Sequence, residues 1–174
     1  MLINVTFSLD NLMDEIKKKE GHESAKEQMV VSTANESGWS IRVNDKDKLT
    51  FAIYSNERGR WEGAALNFKL SKNTKYNVTA IYERTDNAKD KIKIYVNGEK
   101  KLENEVEKIN FTQESGISTM IGVNPYYNNV ANSDGYLFGK VYNVRLWYDV
   151  KEWFNDSINE DKIVEYLYEQ AINN

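Results

Sequence analysis

Apolar and polar residues alternate with a period of two along most of the chain between residues 29 and 148. Successive side chains of a strand point to opposite faces, so such a run buries one face and exposes the other. In the segment 49–54, Leu49, Phe51 and Ile53 share one face, which we expect to line a core. Asn, Asp, Gly and Ser separate the runs at the spacing typical of a sandwich. The pattern therefore predicts an all-β fold.

Most of the predicted strands are joined as hairpins. Asn97-Gly98 supplies the positive φ angles that a tight reversal needs, so the chain from Lys100 onward should return as the partner of the preceding strand. A strand-like segment also follows Met1, at residues 3–9. The other predicted strands span residues 29–33, 38–43, 49–54, 64–70, 76–83, 92–96, 117–122 and 136–147.

Two segments break the alternation and predict short flanking helices. Residues 9–20 carry Leu12, Met13 and Ile16 at helical spacing. Residues 157–171 show a similar spacing and begin with Ser157 three residues before Glu160, which is the pattern of a capping box; Asn159 is an alternative N-cap. We expect this second helix to pack against the end of the sandwich.

Length and charge limit the classes of function. The 174 residues fit a single domain, 1–174. The 23 basic residues are scattered among 27 acidic ones, for a net charge of -4, so we expect no nucleic-acid partner. No apolar run approaches the roughly 20 residues of a membrane span, and we expect no membrane insertion. Because a strand-like segment follows Met1 almost directly, we expect the domain to come from a longer exported protein.

Four segments carry a family resemblance. A strand at 76–84 is followed by a charged turn, a second strand ending in Asn97-Gly98, the tetrapeptide Gly122-Val-Asn-Pro125, and a late strand that opens with Gly139 and closes on Arg-Leu-Trp147. In this order the chain resembles the laminin-G-like, concanavalin A-like jelly-roll family (LamG-like lectin and glucanase domains). The resemblance implies two opposed antiparallel sheets that meet ligands on a concave face or at rim loops. Similar domains are carbohydrate-binding modules, adhesion modules and glucanases.

The residues argue against catalysis. A glucanase needs two facing carboxylates about 5 Å apart for retention, and laminarinase-like relatives place them as Glu-x-Asp-x-x-Glu on one strand. That motif is absent; Glu83 stands at a strand end and Glu62 beside a turn. His22 is the only histidine and lies in a charged segment, and no Gly-x-Ser-x-Gly elbow is present. We therefore predict that the domain is not an enzyme.

Binding of a sugar needs an aromatic platform and planar polar side chains. The segment 124–135 offers Tyr126, Tyr127 and Asn128 between strands, and we predict it as the leading site. Aromatic residues in loops also close the ends of sandwiches, so packing is an equal alternative for these tyrosines and for Trp61.

A second candidate site lies at 56–63, where Arg58, Arg60 and Trp61 occupy a turn before a buried strand. A guanidinium there could bind a carboxylated sugar such as sialate or uronate. Residues on strand faces opposite the main apolar sets could join it on a concave surface, unless that surface is an ordinary solvent-facing sheet: Arg42, Asn67 and Tyr54.

Related domains often hold calcium near a rim or near the chain ends, so the resemblance implies a structural Ca²⁺ ion as a candidate cofactor. The cation needs several oxygen ligands. Residues of a suitable type, without diagnostic spacing, are Asp10, Asn124, Asp134 and Asp149.

These observations together predict a non-catalytic, lectin-like carbohydrate-binding or adhesion module of a larger bacterial protein. Its partners would be a glycan or cell-surface molecule and the adjacent domains of its parent, and its location would be extracellular or at the cell surface. The alternatives are a protein-docking module attached to a hydrolase and, less favoured, a glycoside hydrolase.

Overall fold

Two antiparallel sheets form the body of the protein in a computed structural model, which describes residues 1–33, 38–109, 119–123, 135–148 and 159–173. Within these residues, two helices accompany ten strands. The elements in chain order are β1 (Leu2–Leu9), α1 (Met13–Ile16), β2 (Glu27–Ser32), β3 (Trp39–Asn44), β4 (Leu49–Ser55), β5 (Arg60–Ala65), β6 (Lys75–Glu83), β7 (Lys89–Val96), β8 (Glu99–Glu107), β9 (Met120–Ile121), β10 (Gly139–Trp147) and α2 (Glu160–Ile172).

The strand order is β10-β1-β6-β7-β8 in sheet 1 and β5-β4-β3-β2-β9 in sheet 2. The faces that the two sheets turn toward each other carry the apolar members of the alternation, among them Phe7, Trp39 and Phe51, all fully buried. Leu49, Phe51 and Ile53 line this core as predicted. The all-β, two-sheet antiparallel sandwich is thus confirmed.

The hairpin between β7 and β8 is confirmed in detail. Asn97 and Gly98 have φ angles of 53° and 82°, which only a short polar residue and glycine adopt readily. The Asn97 side chain also accepts a hydrogen bond from the backbone N–H of Asn77 at 2.9 Å. Sequence and tertiary contacts therefore fix the same reversal.

Two predicted strands differ most from the observed ones. β5 spans Arg60–Ala65 instead of 64–70, and of the strand predicted at 117–122 only β9, Met120–Ile121, is seen within the described residues. After β5 the chain still alternates between buried and exposed side chains, but Leu66 and Leu70 donate their N–H groups to the carbonyls of Leu49 and Asp47. Every second side chain is therefore still wholly or partly buried in this segment, although its backbone no longer pairs as a strand.

The first helix is much shorter than the predicted range of residues 9–20. α1 holds only Met13–Ile16, because Leu9 is still paired with Gly139 in sheet 1. The buried carboxylate of Asp47 accepts the N–H of Met13 at 2.7 Å and so holds the first turn. Met13 and Ile16 pack with Ala25 and Phe138 in a small separate cluster.

α2 begins at Glu160 with Asn159 as its N-cap, whose side chain accepts the N–H of Lys162 at 2.9 Å. The alternative cap is thus confirmed, whereas the expected start at Ser157 lies outside the described residues. The expected position at the end of the sandwich is wrong. α2 covers the outer face of sheet 1, because its apolar stripe fits an apolar cluster there: Val164 and Leu167 against Leu2, Ile81 and Tyr95.

Polar contacts orient the start of α2. The hydroxyl of Tyr95 donates to the carboxylates of Glu160 and Asp161, the latter at 3.0 Å, and Lys93 lies 2.7 Å from Glu160. Burial and these two carboxylates raise the pKa of Tyr95. On the inner face, burial and the carboxylate of Asp90 raise the pKa of Tyr82.

Both tyrosines should make the stability of the domain decrease at alkaline pH. They stay protonated in the folded state but ionise in the unfolded chain above about pH 10, so the unfolded state then binds fewer protons. The stabilisation is complete below that pH, and we expect the free energy of unfolding to fall by about 1.4 kcal/mol per pH unit for each tyrosine above it. Urea titrations at pH 8, 9, 10 and 11 measure this. Tyr95→Phe should be less stable at pH 8 but show a shallower fall above pH 10; a wild-type profile that is flat to pH 11 would contradict the argument.

β8 is an edge strand of sheet 1, and most of its side chains are exposed to solvent. Leu102 and Val106 are its only apolar residues and pack on the core. Charged side chains of both signs line this edge: Glu99, Lys100, Lys101, Glu103, Glu105 and Glu107.

Candidate functional site

The face of sheet 2 that points away from the core, here called the outer face, gathers part of the predicted site. Because side chains alternate along a strand, the residues on this face are those between the core positions. The register pairs Tyr54 with Trp61, and Met29 with Arg42. Neighbouring strands therefore place aromatic and basic side chains on one surface.

Trp61 is the centre of this surface. Its ring meets the ring of Tyr54 edge to face, with the centroids 5.4 Å apart at 70°. The guanidinium of Arg42 lies 5.5 Å from the centroid of Trp61, within the range of a cation–π contact. Arg42 also forms a 3.0 Å ion pair with Glu27. We call Glu27, Arg42, Tyr54 and Trp61 the outer-face patch.

Small residues make room for this patch. Ser40, Ala52 and Gly63 lie side by side on β3, β4 and β5, so Arg42 and Trp61 can meet above them from different strands. A Cβ at Gly63 would lie 2.5 Å from the carbonyl oxygen of Phe51. Ser40 is fully buried, and its hydroxyl has no hydrogen-bond partner among the residues that the structure describes. A side chain at position 63 would therefore collide with β4, and the glycine leaves the space above it to Arg42 and Trp61.

Arg58 and Arg60 do not belong to this patch. Arg60 alternates with Trp61 and points to the opposite face of β5, where it binds Glu62 at 2.8 Å. Arg58, in the preceding turn, lies 3.5 Å from Glu62 and 3.3 Å from Glu107 of sheet 1. These pairs join the edges of the two sheets. The predicted single site of Arg58, Arg60 and Trp61 is therefore divided in two, and the strand that follows the turn is an exposed edge strand rather than a buried one.

Other predicted residues are not on this surface or are not described. Asn67 is exposed in a bend beyond the end of β5, so it does not lie on a strand face as expected. Asp10 is exposed after β1, where its N–H donates to the carbonyl of Phe138 at 2.8 Å. The described residues contain no cluster of three or more His, Cys, Asp or Glu side chains suited to a metal, and calcium stays a prediction. Candidates outside the described residues are Tyr126, Tyr127, Asn128, Asn124, Asp134 and Asp149.

The two strand carboxylates considered for catalysis do not face each other. Glu62 lies on sheet 2 and is held by Arg60 and Arg58. Glu83 lies on the face of sheet 1 that points away from the core, beside Ile81 and with Lys93 at 2.8 Å. These two therefore do not form the facing pair that glycoside hydrolysis requires.

Glu27 is the patch residue that the sequence reasoning missed. The strand was predicted to start at residue 29, so Glu27 was left in the preceding loop, whereas β2 begins at Glu27. A signal was available, since opposite charges on the same face of paired strands attract each other. Recognising it requires the register of β2 and β3, which the sequence alone does not provide.

A family model for the concanavalin A-like lectin/glucanases superfamily matches residues 19–153, well over half of the chain. The chain belongs to this superfamily. No curated protein sequence matches it. In the part of the chain that the structure describes, neither helix is long and apolar enough to span a bilayer.

Three solved structures show the same fold. A candidate carbohydrate-binding protein of Bacteroides ovatus has a TM-score of 0.58 at 20% identity over 84% of this chain and 36% of its own. The CBM40 module of a Ruminococcus gnavus sialidase, bound to alpha2,3 sialyllactose, has 0.57 at 12% identity over 82% of this chain and 71% of its own. Domains LG4-5 of the mouse laminin alpha1 chain have a TM-score of 0.55 at 11% identity over 83% of this chain and 34% of their own. The chain thus spans about a third of the Bacteroides and laminin chains, and identities this low establish the fold alone.

Proposed function

We propose that the domain is a non-catalytic carbohydrate-binding or adhesion module of an exported protein, and that it binds glycan on the outer face of sheet 2. The observation that carries this proposal is the outer-face patch, in which a tryptophan, a tyrosine and an arginine meet on one face of sheet 2. The superfamily and the sugar-binding proteins that share its fold support the same class of function. Adjacent domains of a parent protein remain part of the proposal.

The chemistry of the patch suits a sugar ring. The partly buried ring of Trp61 offers an apolar surface for the C–H groups of a pyranose, and contacts with Tyr54 and Arg42 fix its orientation. The remaining guanidinium N–H groups of Arg42, the carboxylate of Glu27 and the hydroxyl of Tyr54 supply donors and acceptors for sugar hydroxyls. A platform held in this way loses little conformational entropy on binding.

The segment 124–134, which follows β9 in the sequence, completes the proposal. Tyr126, Tyr127 and Asn128 would extend the contact to further sugar units, and Asp10, Asn124, Asp134 and Asp149 are proposed ligands of a structural calcium ion. Neither part is needed for the first test.

Replacing the platform should abolish most of the binding. We expect Trp61→Ala to weaken the affinity for a glycan selected on an array by at least about tenfold, because central aromatic contacts dominate such interfaces. Isothermal titration calorimetry, with and without calcium, measures the change. Tyr166→Ala is the matched control, since Tyr166 is an aromatic residue 59% exposed on α2, away from sheet 2.

The outcomes separate the alternatives. Unchanged binding by Trp61→Ala combined with loss in Tyr127→Ala would move the site to the rim. Failure of every glycan to bind, with or without calcium, would reject the proposal and favour a protein-docking module. Hydrolysis of a polysaccharide by the purified domain would reject a non-catalytic role.

A further inference from the structure

We infer that Glu27 makes the outer-face patch select uncharged sugars against carboxylated ones. The inference rests on the proposed function and adds the class of ligand. It reverses the expectation that an arginine here would bind sialate or uronate.

The first step concerns the arginines. Arg42, the guanidinium of the patch, already binds a carboxylate of the protein, Glu27, at 3.0 Å. Arg58 and Arg60 are likewise paired with Glu62 and Glu107 at 2.8 to 3.5 Å. None of these three predicted ligands of an acidic sugar therefore offers an uncompensated positive charge.

The second step concerns the mobility of Arg42. Its guanidinium contacts both the carboxylate of Glu27 and the ring of Trp61. Turning it toward a carboxylate of the ligand would break a charge-assisted hydrogen bond and weaken a cation–π contact at the same time. The side chains of Arg42 and Glu27 are only 23% and 21% exposed, so water screens their attraction weakly.

The third step concerns the ligand. A hydroxyl of a neutral sugar both donates and accepts hydrogen bonds, so a pair that presents guanidinium N–H groups beside carboxylate oxygens satisfies both. A carboxylate on the sugar only accepts, and it would approach the negative charge of Glu27 at short range. Such repulsion is an efficient source of specificity because it acts only on the wrong ligand.

Matched ligand pairs and one charge-neutral substitution test the inference. The probes are lactose against α2,3 sialyllactose and oligogalactose against oligogalacturonate. The wild type should bind the neutral member of any pair that it recognises about tenfold more tightly. Glu27→Gln should remove or reverse that preference, because it frees the charge of Arg42 while keeping the side-chain shape. Glu105→Gln, which removes one exposed negative charge on β8, should leave the preference unchanged.

The salt dependence of wild-type binding gives a readout that does not depend on the folding of any variant. Raising sodium chloride from 0.05 to 0.5 M should strengthen wild-type binding of the carboxylated probes, since repulsion is screened, and weaken their binding to Glu27→Gln. A wild type that prefers the carboxylated member, or a preference unchanged in folded Glu27→Gln, overturns the inference and leaves glycan binding intact. Absence of binding to every neutral and carboxylated probe overturns glycan binding itself.

Discussion

Asp90→Ala should destabilise the domain by about 3 kcal/mol, because it leaves buried hydrogen-bond donors unsatisfied at about 1–3 kcal/mol each. Asp90 is only 2% exposed, and its carboxylate accepts three hydrogen bonds. The donors are the hydroxyl of Tyr82 at 2.6 Å and the N–H groups of Thr85 at 3.1 Å and Ile109 at 3.2 Å. Loss of the carboxylate removes this acceptor from the N–H groups of Thr85 and Ile109, whereas the hydroxyl of Tyr82 keeps the carbonyl oxygen of Ile109 at 3.2 Å.

Equilibrium unfolding in urea, followed by tryptophan fluorescence, measures this loss. Asp86→Ala is the matched control, since Asp86 is exposed in the same turn, and it should change stability by less than about 0.5 kcal/mol. The stability of Asp90→Asn should lie between those of Asp90→Ala and Asp86→Ala, because the amide oxygen can still accept some of the hydrogen bonds made to the carboxylate. Equal stabilities of Asp90→Ala and Asp86→Ala would show that the buried carboxylate does not hold the turn.

Gly139→Ala should destabilise the fold by about 3 kcal/mol, because it overpacks the point where β10 begins. A Cβ at Gly139 would lie 2.0 Å from the carbonyl oxygen of Ser8 and 3.1 Å from the Cα of Leu9, both backbone atoms that cannot move independently. The two strands would have to separate where Leu9 and Gly139 pair. The glycine that opens the late strand in the family resemblance therefore has a steric explanation.

The matched control adds a methyl group where there is space. A Cβ at Gly21, whose φ is +78°, would meet nothing within 4 Å, so Gly21→Ala should lose only the backbone preference of glycine, about 1 kcal/mol. Thermal melting of both variants compares the two effects. If Gly139→Ala melts as high as Gly21→Ala, β10 is more loosely paired than its register indicates.

Alternation of apolar residues was sufficient to predict the class of fold, because a face that lines the core must repeat every second residue. It failed at residues 64–70 for a specific reason. Ala64, Leu66 and Leu70 are all buried, but beyond Ala65 the chain hydrogen-bonds to Leu49 and Asp47 outside any ladder. Periodicity reports which side chains are buried, not which backbone groups are paired.

The outer face of sheet 1 was harder to predict for a second reason. Asn4 and Thr6 on β1 and Asn77 and Thr79 on β6 read as solvent-facing positions, yet all four are buried. They bond to each other across the strands, Asn4 to Thr79 and Asn77 to Thr6, each at 2.9 Å. Burial of amides is tolerated because each finds a partner, and that pairing depends on register.

The candidate site was partly predictable. Arg42 and Tyr54 could be assigned to a strand face from the sequence, whereas Trp61 was expected in a turn and lies in β5; the structure brings these three together. Glu27, the ion-pair partner of Arg42, could not be assigned, because a bulge between Met29 and Val31 shifts the register of β2 against β3. An extra residue of this kind changes which side chains share a face, and alternation cannot locate it when both neighbours are apolar.

The charged border formed by β8 has a consequence for crowded conditions. A second β-strand could add to this border only if lysine and glutamate side chains gave up their hydration, which opposes the merging of sheets from different molecules. Copies of the domain displayed at high density would then remain separate from one another. The outer-face patch of each copy would stay accessible instead of being buried in an aggregate.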